Sequence, residues 1–176
     1  MKKFLILLIT LIVLSGCSLG KDMSNTPTKR VEDFLDSYQT LDSNILNDLD
    51  MLVKDTEYTL EQQNTYKEHM KKHYQNLKYE IKDETINGDT ATVTAEIEVI
   101  DYSKILTMTP DESAYLDENG EYDVTLFYDD QLELMGSAKE TVKYTLTFYL
   151  TKVDDEWALN ELSETDKEKI HGIYAY

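Results

Sequence analysis

The chain has a single cysteine, Cys17, among 176 residues, so no disulfide can form within it. Glycine and proline are scarce, at six and two. No phosphate-binding glycine loop and no Gly-x-Ser-x-Gly elbow can be traced. Basic side chains are outnumbered 35 to 17 by acidic ones, and the formal net charge is −18 at pH 7. A chain this acidic repels phosphate backbones and anionic lipid headgroups, which argues against nucleic-acid binding and against a helix lying on a membrane surface. The charge is spread through every segment, as expected of a solvated exterior. Long hydrophobic runs are absent too. The one apolar stretch, Phe4 to Leu14 with Thr10 inside it, covers about half of the ~20 residues that a membrane-crossing helix needs.

What stands at the N-terminus is a lysine pair, Lys2-Lys3, that apolar stretch, and then Leu14-Ser15-Gly16-Cys17. A basic start, a short apolar core and a small-residue end have the three-part form of a secretory signal. Its last four residues resemble a bacterial lipobox. The resemblance implies cleavage between Gly16 and Cys17 and attachment of a diacylglyceryl group to Cys17. Each buried methylene of such an anchor stabilises attachment by about 0.8 kcal/mol, and two or three chains hold where one is marginal. The expectation is a signal peptide over residues 1–16 and a lipid-anchored protein at the cell membrane, facing the extracytoplasmic side. Loss of Lys2 and Lys3 with the signal takes the formal charge from −18 to −20. Residues 17–25 hold the lipidated cysteine and a small, polar, aperiodic run that reads as a flexible tether.

Residues 26–176 read as one domain, long enough to bury about two-thirds of its unfolded surface without disulfides. Thr26-Pro27 opens a first helix with an N-cap and a proline at the first helical position, and Val31, Phe34, Leu35 and Tyr38 then share a face. A second helix is expected from Asp42, with Ile45, Leu46, Leu49, Leu52 and Val53 apolar. Thr59 and Gln62 have capping-box spacing. The stripe Tyr66, Met70, Tyr74, Leu77 carries a third helix to about Tyr74. Alternation replaces the helical period from Leu77. Asn87-Gly88, both tolerant of positive φ, turns a hairpin whose return strand alternates Ala91, Val93, Ala95, Ile97 and Val99 with polar residues. Val142 to Leu150 forms another strand, turned at Asp154-Asp155 toward Trp157. Ser163 caps a last short helix that Gly172 ends. Within 103–138 an Asn119-Gly120 turn is expected, and the apolar run Val124 to Tyr128 reads as a further strand.

Helices followed by long hairpins predict an α+β domain, with N-terminal helices packed on a twisted antiparallel sheet. The lipobox, the opening Val31-Glu32-Asp33-Phe34-Leu35, the hairpin Lys78 to Asp89 and the closing Leu162 to Tyr174 resemble small bacterial lipoproteins of Gram-positive type. That resemblance covers most of the chain. It implies an NTF2-like or cystatin-like domain and the membrane location, and it carries no catalytic signature.

Candidate chemistry is sparse. His69 and His73 have the i,i+4 spacing of a shared metal site, but Lys71 and Lys72 lie between them and the glutamate of a zinc-peptidase helix is missing. His73 reads as a boundary residue of its helix, and His171 as a cation that complements a helix C-terminus. No metal or other cofactor is expected. Asp117 to Asp123 is acidic, yet its glycine falls at the fourth position, where an EF-hand needs it at the sixth. Tyrosine is abundant, 13 against four phenylalanines and one tryptophan. Tyr66 and Tyr74 on the third helix, with Tyr79, Tyr144, Phe148 and Trp157 on inward strand positions, either fill the core or wall a ligand pocket between helix and sheet. Two functions fit. One is a tethered binding or accessory module for a small molecule, a peptide or an envelope protein. The other is an enzyme using an acid–base pair such as Asp101 with Tyr102 in that pocket.

Overall fold

A computed structural model describes residues 25–54 and 56–175. The signal sequence, Gly16, Cys17 and the tether up to residue 24 lie outside the described residues. Three helices come first, α1 (Pro27–Gln39), α2 (Ser43–Lys54) and α3 (Leu60–Gln75). A hairpin of β1 (Lys78–Asn87) and β2 (Thr90–Ile100) follows, then α4 (Ser103–Leu106) and α5 (Val124–Ser137). The chain closes with β3 (Thr141–Val153), β4 (Glu156–Leu159) and α6 (Glu164–His171). The strands form one antiparallel sheet in the order β1-β2-β3-β4, and the fold is α+β with helices packed against the sheet. No helix among the described residues is long and apolar enough to cross a membrane.

The helix ends follow from local chemistry. Thr26 accepts the Lys29 N–H at the start of α1, and Thr59 and Gln62 form a reciprocal capping box on α3. Ser163 accepts the Asp166 N–H on α6, and Gly172 ends that helix in the left-handed region at φ 70. The first turn of α1 has no acidic residue of its own. Glu84 supplies one from β1, its Oε2 accepting from the Thr28 N–H at 2.9 Å and from the Thr28 hydroxyl at 2.7 Å, where a carboxylate also complements the helix dipole.

Glu84 reaches that position through a bulge. Pairing shifts between Ile81 and Asp83, so Lys82 is an extra residue in β1. Tyr79 and Ile81 lie opposite the buried Ile97 and Ala95 before it, and Glu84 and Ile86 lie opposite the buried Val93 and Ala91 after it. The turn is one residue displaced from the expectation. Asn87 pairs with Thr90, so Gly88 and Asp89 are the central residues, and only Gly88, at φ 62, is left-handed there, the pattern of a type II′ turn. Asp154 and Asp155, at φ 50 and 66, make the β3–β4 turn as expected.

Two further expectations require correction. Val124 to Tyr128 is the first part of helix α5, not a strand. Asp123 caps it by accepting the Thr125 N–H at 2.8 Å, and Phe127, Gln131, Leu132 and Met135 are buried at helical spacing. Asn25, placed in the tether, belongs to the fold: its side chain donates to the Asp155 carbonyl at 2.9 Å and accepts the Trp157 N–H at 3.1 Å.

The core lies between the helices and one sheet face. Val31, Met70, Val93, Ala95 and Ile97 are fully buried, and on the opposite face of the sheet Lys143, Thr145, Thr147 and Tyr149 of β3 remain exposed.

Candidate functional site

The helix layer leaves a groove of about 830 Å³ where α1 and α2 face the segment from the end of β4 to α6. Phe34 and Tyr38 reach it from α1 because they continue the apolar face that buries Val31 and Leu35. On α2, Ile45 and Leu49 are buried, while Met51 and Leu52 stand at the lip, 58% and 43% exposed. Leu159, Leu162 and Ile173 complete the apolar wall from the other side.

Tyr74 of α3 and His171 at the end of α6 meet at the base of this groove, the phenol oxygen 2.7 Å from Nδ1. Aromatic rings connect it to the core. Phe34 packs edge-on against Tyr38 at 5.4 Å and against Phe148 at 5.9 Å, and Tyr38 packs against Tyr74 at 5.0 Å. Burial pushes the Tyr38 phenol up to about 12, with the charge of Asp48 adding to the effect. It pushes Tyr74 well above the ordinary tyrosine value. His171 is lowered to about 4, again through burial, against the opposing charge of Asp48. The imidazole is therefore neutral at neutral pH, and the expectation of a charged His171 at the helix end is corrected: desolvation outweighs the attraction of Asp48.

Of the six aromatic candidates, only Tyr74 lines this groove. Tyr66, Tyr144, Phe148 and Trp157 are buried in the core. Tyr79 is half-buried at the β1 edge, where its hydroxyl donates to Asp36 at 2.6 Å. The core-filling alternative thus describes most of the set. Asp101 and Tyr102 turn to different partners: the Asp101 carboxylate accepts the Ser103 N–H and hydroxyl at 2.9 and 2.6 Å. The Tyr102 ring is buried against His73 at 5.2 Å.

The two histidines of α3 turn to different partners. His69 faces α5 and lies so close to Gly136 that a Cβ there would sit 2.8 Å from the ring. His73, expected at a helix boundary, is fully buried, with Nε2 2.8 Å from the Ile170 carbonyl oxygen. Asp117 spends its carboxylate on the N–H groups of Asn119 and Glu121 within its own turn.

Sequence reasoning missed Phe34, Tyr38, Leu49 and His171 as neighbours. They come from elements far apart in the chain, and the available signal was the apolar surplus of α2, where Met51 and Leu52 extend the apolar face beyond what the core covers. No protein family, curated protein or solved structure matches the chain.

Proposed function

We propose that this chain is an extracytoplasmic binding module, anchored to the cell membrane by a lipid on Cys17, whose groove between α1–α2 and the β4–α6 segment receives an apolar ligand group. The observation that carries the reading is the groove itself, apolar along its base and open at a lip where Met51 and Leu52 expose methionine and leucine side chains. Large apolar side chains grouped at a concave surface mark binding sites more often than chance exposure does. The overall form, helices packed on one face of an antiparallel sheet, is compatible with the NTF2-like or cystatin-like architecture that the sequence resembles.

Binding is favoured over acid–base catalysis by the tuning of the groups at the base. Efficient proton transfer uses a group titrating near the working pH. His171 is lowered to about 4 and Tyr74 is raised away from neutrality, so the imidazole stays neutral and the phenol stays protonated, and the contact orients the two rings.

A neutral solvatochromic dye tests the groove. With full-chain protein in zwitterionic nanodiscs, wild type shifts the dye emission to the blue, and a Met51→Ser/Leu52→Ser variant loses most of that shift. An equal response from both proteins rejects the groove as the site. The anchor is tested by feeding labelled fatty acid to cells: wild type takes up label, and a Cys17→Ala variant does not.

A further inference from the structure

The groove carries a charge pattern that its apolar base does not require. Glu164 and Glu168 stand four residues apart on α6, so they leave one face of that helix about 6 Å apart along its axis. Glu161 continues the row toward β4, and Asp48 stands on the α2 wall. All four are exposed. The single cation among the lining residues described is Lys167, held 2.7 Å from Glu164 and 3.4 Å from Glu161. Exposed pairs of this kind contribute little to stability, so the local excess of negative charge is available to a partner.

Resting on the reading of the groove as a ligand site, we propose that its partner is a cationic amphipathic helix, which lays apolar side chains along the base and sets lysine or arginine at i,i+4 spacing against Glu164 and Glu168. The spacing matches because two residues four apart on the partner also rise about 6 Å. This is the helix-in-groove mode, with apolar anchors on one stripe and charges beside it. Other occupants fit less well. A second copy of a chain with net charge −18 is repelled, as is an anionic bilayer surface. A small cationic amphiphile answers one carboxylate and leaves the rest of the row and the Met51–Leu52 lip unused. Methionine at a lip suits a peptide face, since its flexible thioether adapts to varied side chains.

Lys167 acts in this arrangement as a resident competitor. Its ammonium occupies the position between Glu161 and Glu164 that an incoming cation would take, so partner binding exchanges one ion pair for another. Removing Lys167 tightens binding, an effect opposite in sign to the loss of an ordinary contact residue.

The test uses full-chain protein in zwitterionic nanodiscs and a labelled peptide of about five helical turns with a leucine stripe flanked by lysines at i,i+4, followed by fluorescence anisotropy. A second peptide replaces each lysine with glutamate, and a short alkylamine serves as the small-molecule competitor. At low salt the lysine peptide binds about tenfold or more tighter than its glutamate counterpart. Glu164→Gln/Glu168→Gln weakens it about tenfold and flattens its salt dependence, and Lys167→Ala tightens it about threefold. Met51→Ser/Leu52→Ser weakens it about tenfold with the salt dependence unchanged. Equal affinity for both peptides, indifference to the groove variants, displacement by the alkylamine at equal concentration, or dimerisation of the chain each overturns the proposal. If the neutral dye enters the wild-type groove and the lysine peptide does not bind, the partner is wrong and the groove stands. If neither binds, both fail.

Discussion

Two imidazoles pack against Tyr74, the buried His73 and the partly exposed His171, and they are held in opposite ways. His73 packs 5.6 Å from the Tyr74 ring on the interior side, without solvent exposure, closed in by Tyr102 and by the backbone at Gly172. A carbonyl can only accept, so the contact with Ile170 fixes the proton on Nε2 and leaves Nδ1 as a bare acceptor, which has no hydrogen-bond partner. His171, 5.7 Å from Tyr74 on the other side, lines the groove and has its Nδ1 paired with the phenol. Burial lowers both to about 4 from the usual 6.5. Shifts in the same direction thus arise in a sealed position and in one that borders the groove. Only the second can be altered by whatever fills the groove.

The largest way to break this comparison is acid. Above pH 6.5 both rings are neutral in the folded and unfolded chain, and neither affects stability. As pH falls from 6.5 toward 4, the unfolded chain binds two protons that the folded chain refuses, so stability is lost, by about 2 kcal/mol for each histidine at about pH 5. Denaturant titrations at the two pH values measure this loss. His73→Leu abolishes about half of it, and an unchanged pH profile in that variant means that His73 is not held neutral in the core.

Next in size is the wall between His73 and solvent. Gly172 has φ +70, and a Cβ there would lie 2.1 Å from the Ile100 carbonyl oxygen and 2.8 Å from the His73 ring. Gly172→Ala is expected to cost about 3 kcal/mol, combining left-handed strain with a backbone clash. A melting temperature within a degree or two of wild type contradicts this packing. The smallest effect sharpens the difference: Tyr74→Phe removes the hydroxyl from His171 and leaves His73 with its carbonyl, for a cost of about 1 kcal/mol. In NMR titrations the ring signals of His171 move in that variant and those of His73 do not.

Much of this arrangement was legible in the sequence. Thr26-Pro27, Thr59 with Gln62, and Ser163 with Gly172 each mark a helix end through a hydrogen bond within four residues or so, and local chemistry of that reach survives folding. The alternation from Thr90 to Ile100 has the same character, since every second residue faces the core. Val124 to Tyr128 misled because β-branched Val124 and Thr125 precede the residues that set the helical period, Gln131 to Met135. One of those period markers, Gln131, is polar and is satisfied only by the distant Tyr58 hydroxyl and Ile105 carbonyl. His73 lies three residues after Met70, on the buried stripe, and that position was the available sign of its burial. The groove had one local sign, the apolar surplus of α2 at Met51 and Leu52, and its opposite wall had none, because the walls come from residues more than a hundred positions apart, such as Phe34 and Leu162. The Glu84 cap was equally hidden, as it depends on a one-residue bulge at Lys82.

Asn25 gives the domain a mechanical polarity. Its side chain holds both Asp155 and Trp157 across the β3–β4 turn, and α1 then runs on from Thr26. A pull on the chain ahead of residue 25 therefore loads β4 first, the outer strand of the sheet, which shares only four residue pairs with β3. The long β2–β3 ladder, from Thr90 with Thr151 to Ile100 with Thr141, takes the load later. Under tension from its N-terminal side the molecule is expected to yield by peeling at this short strand while the central ladder stays intact.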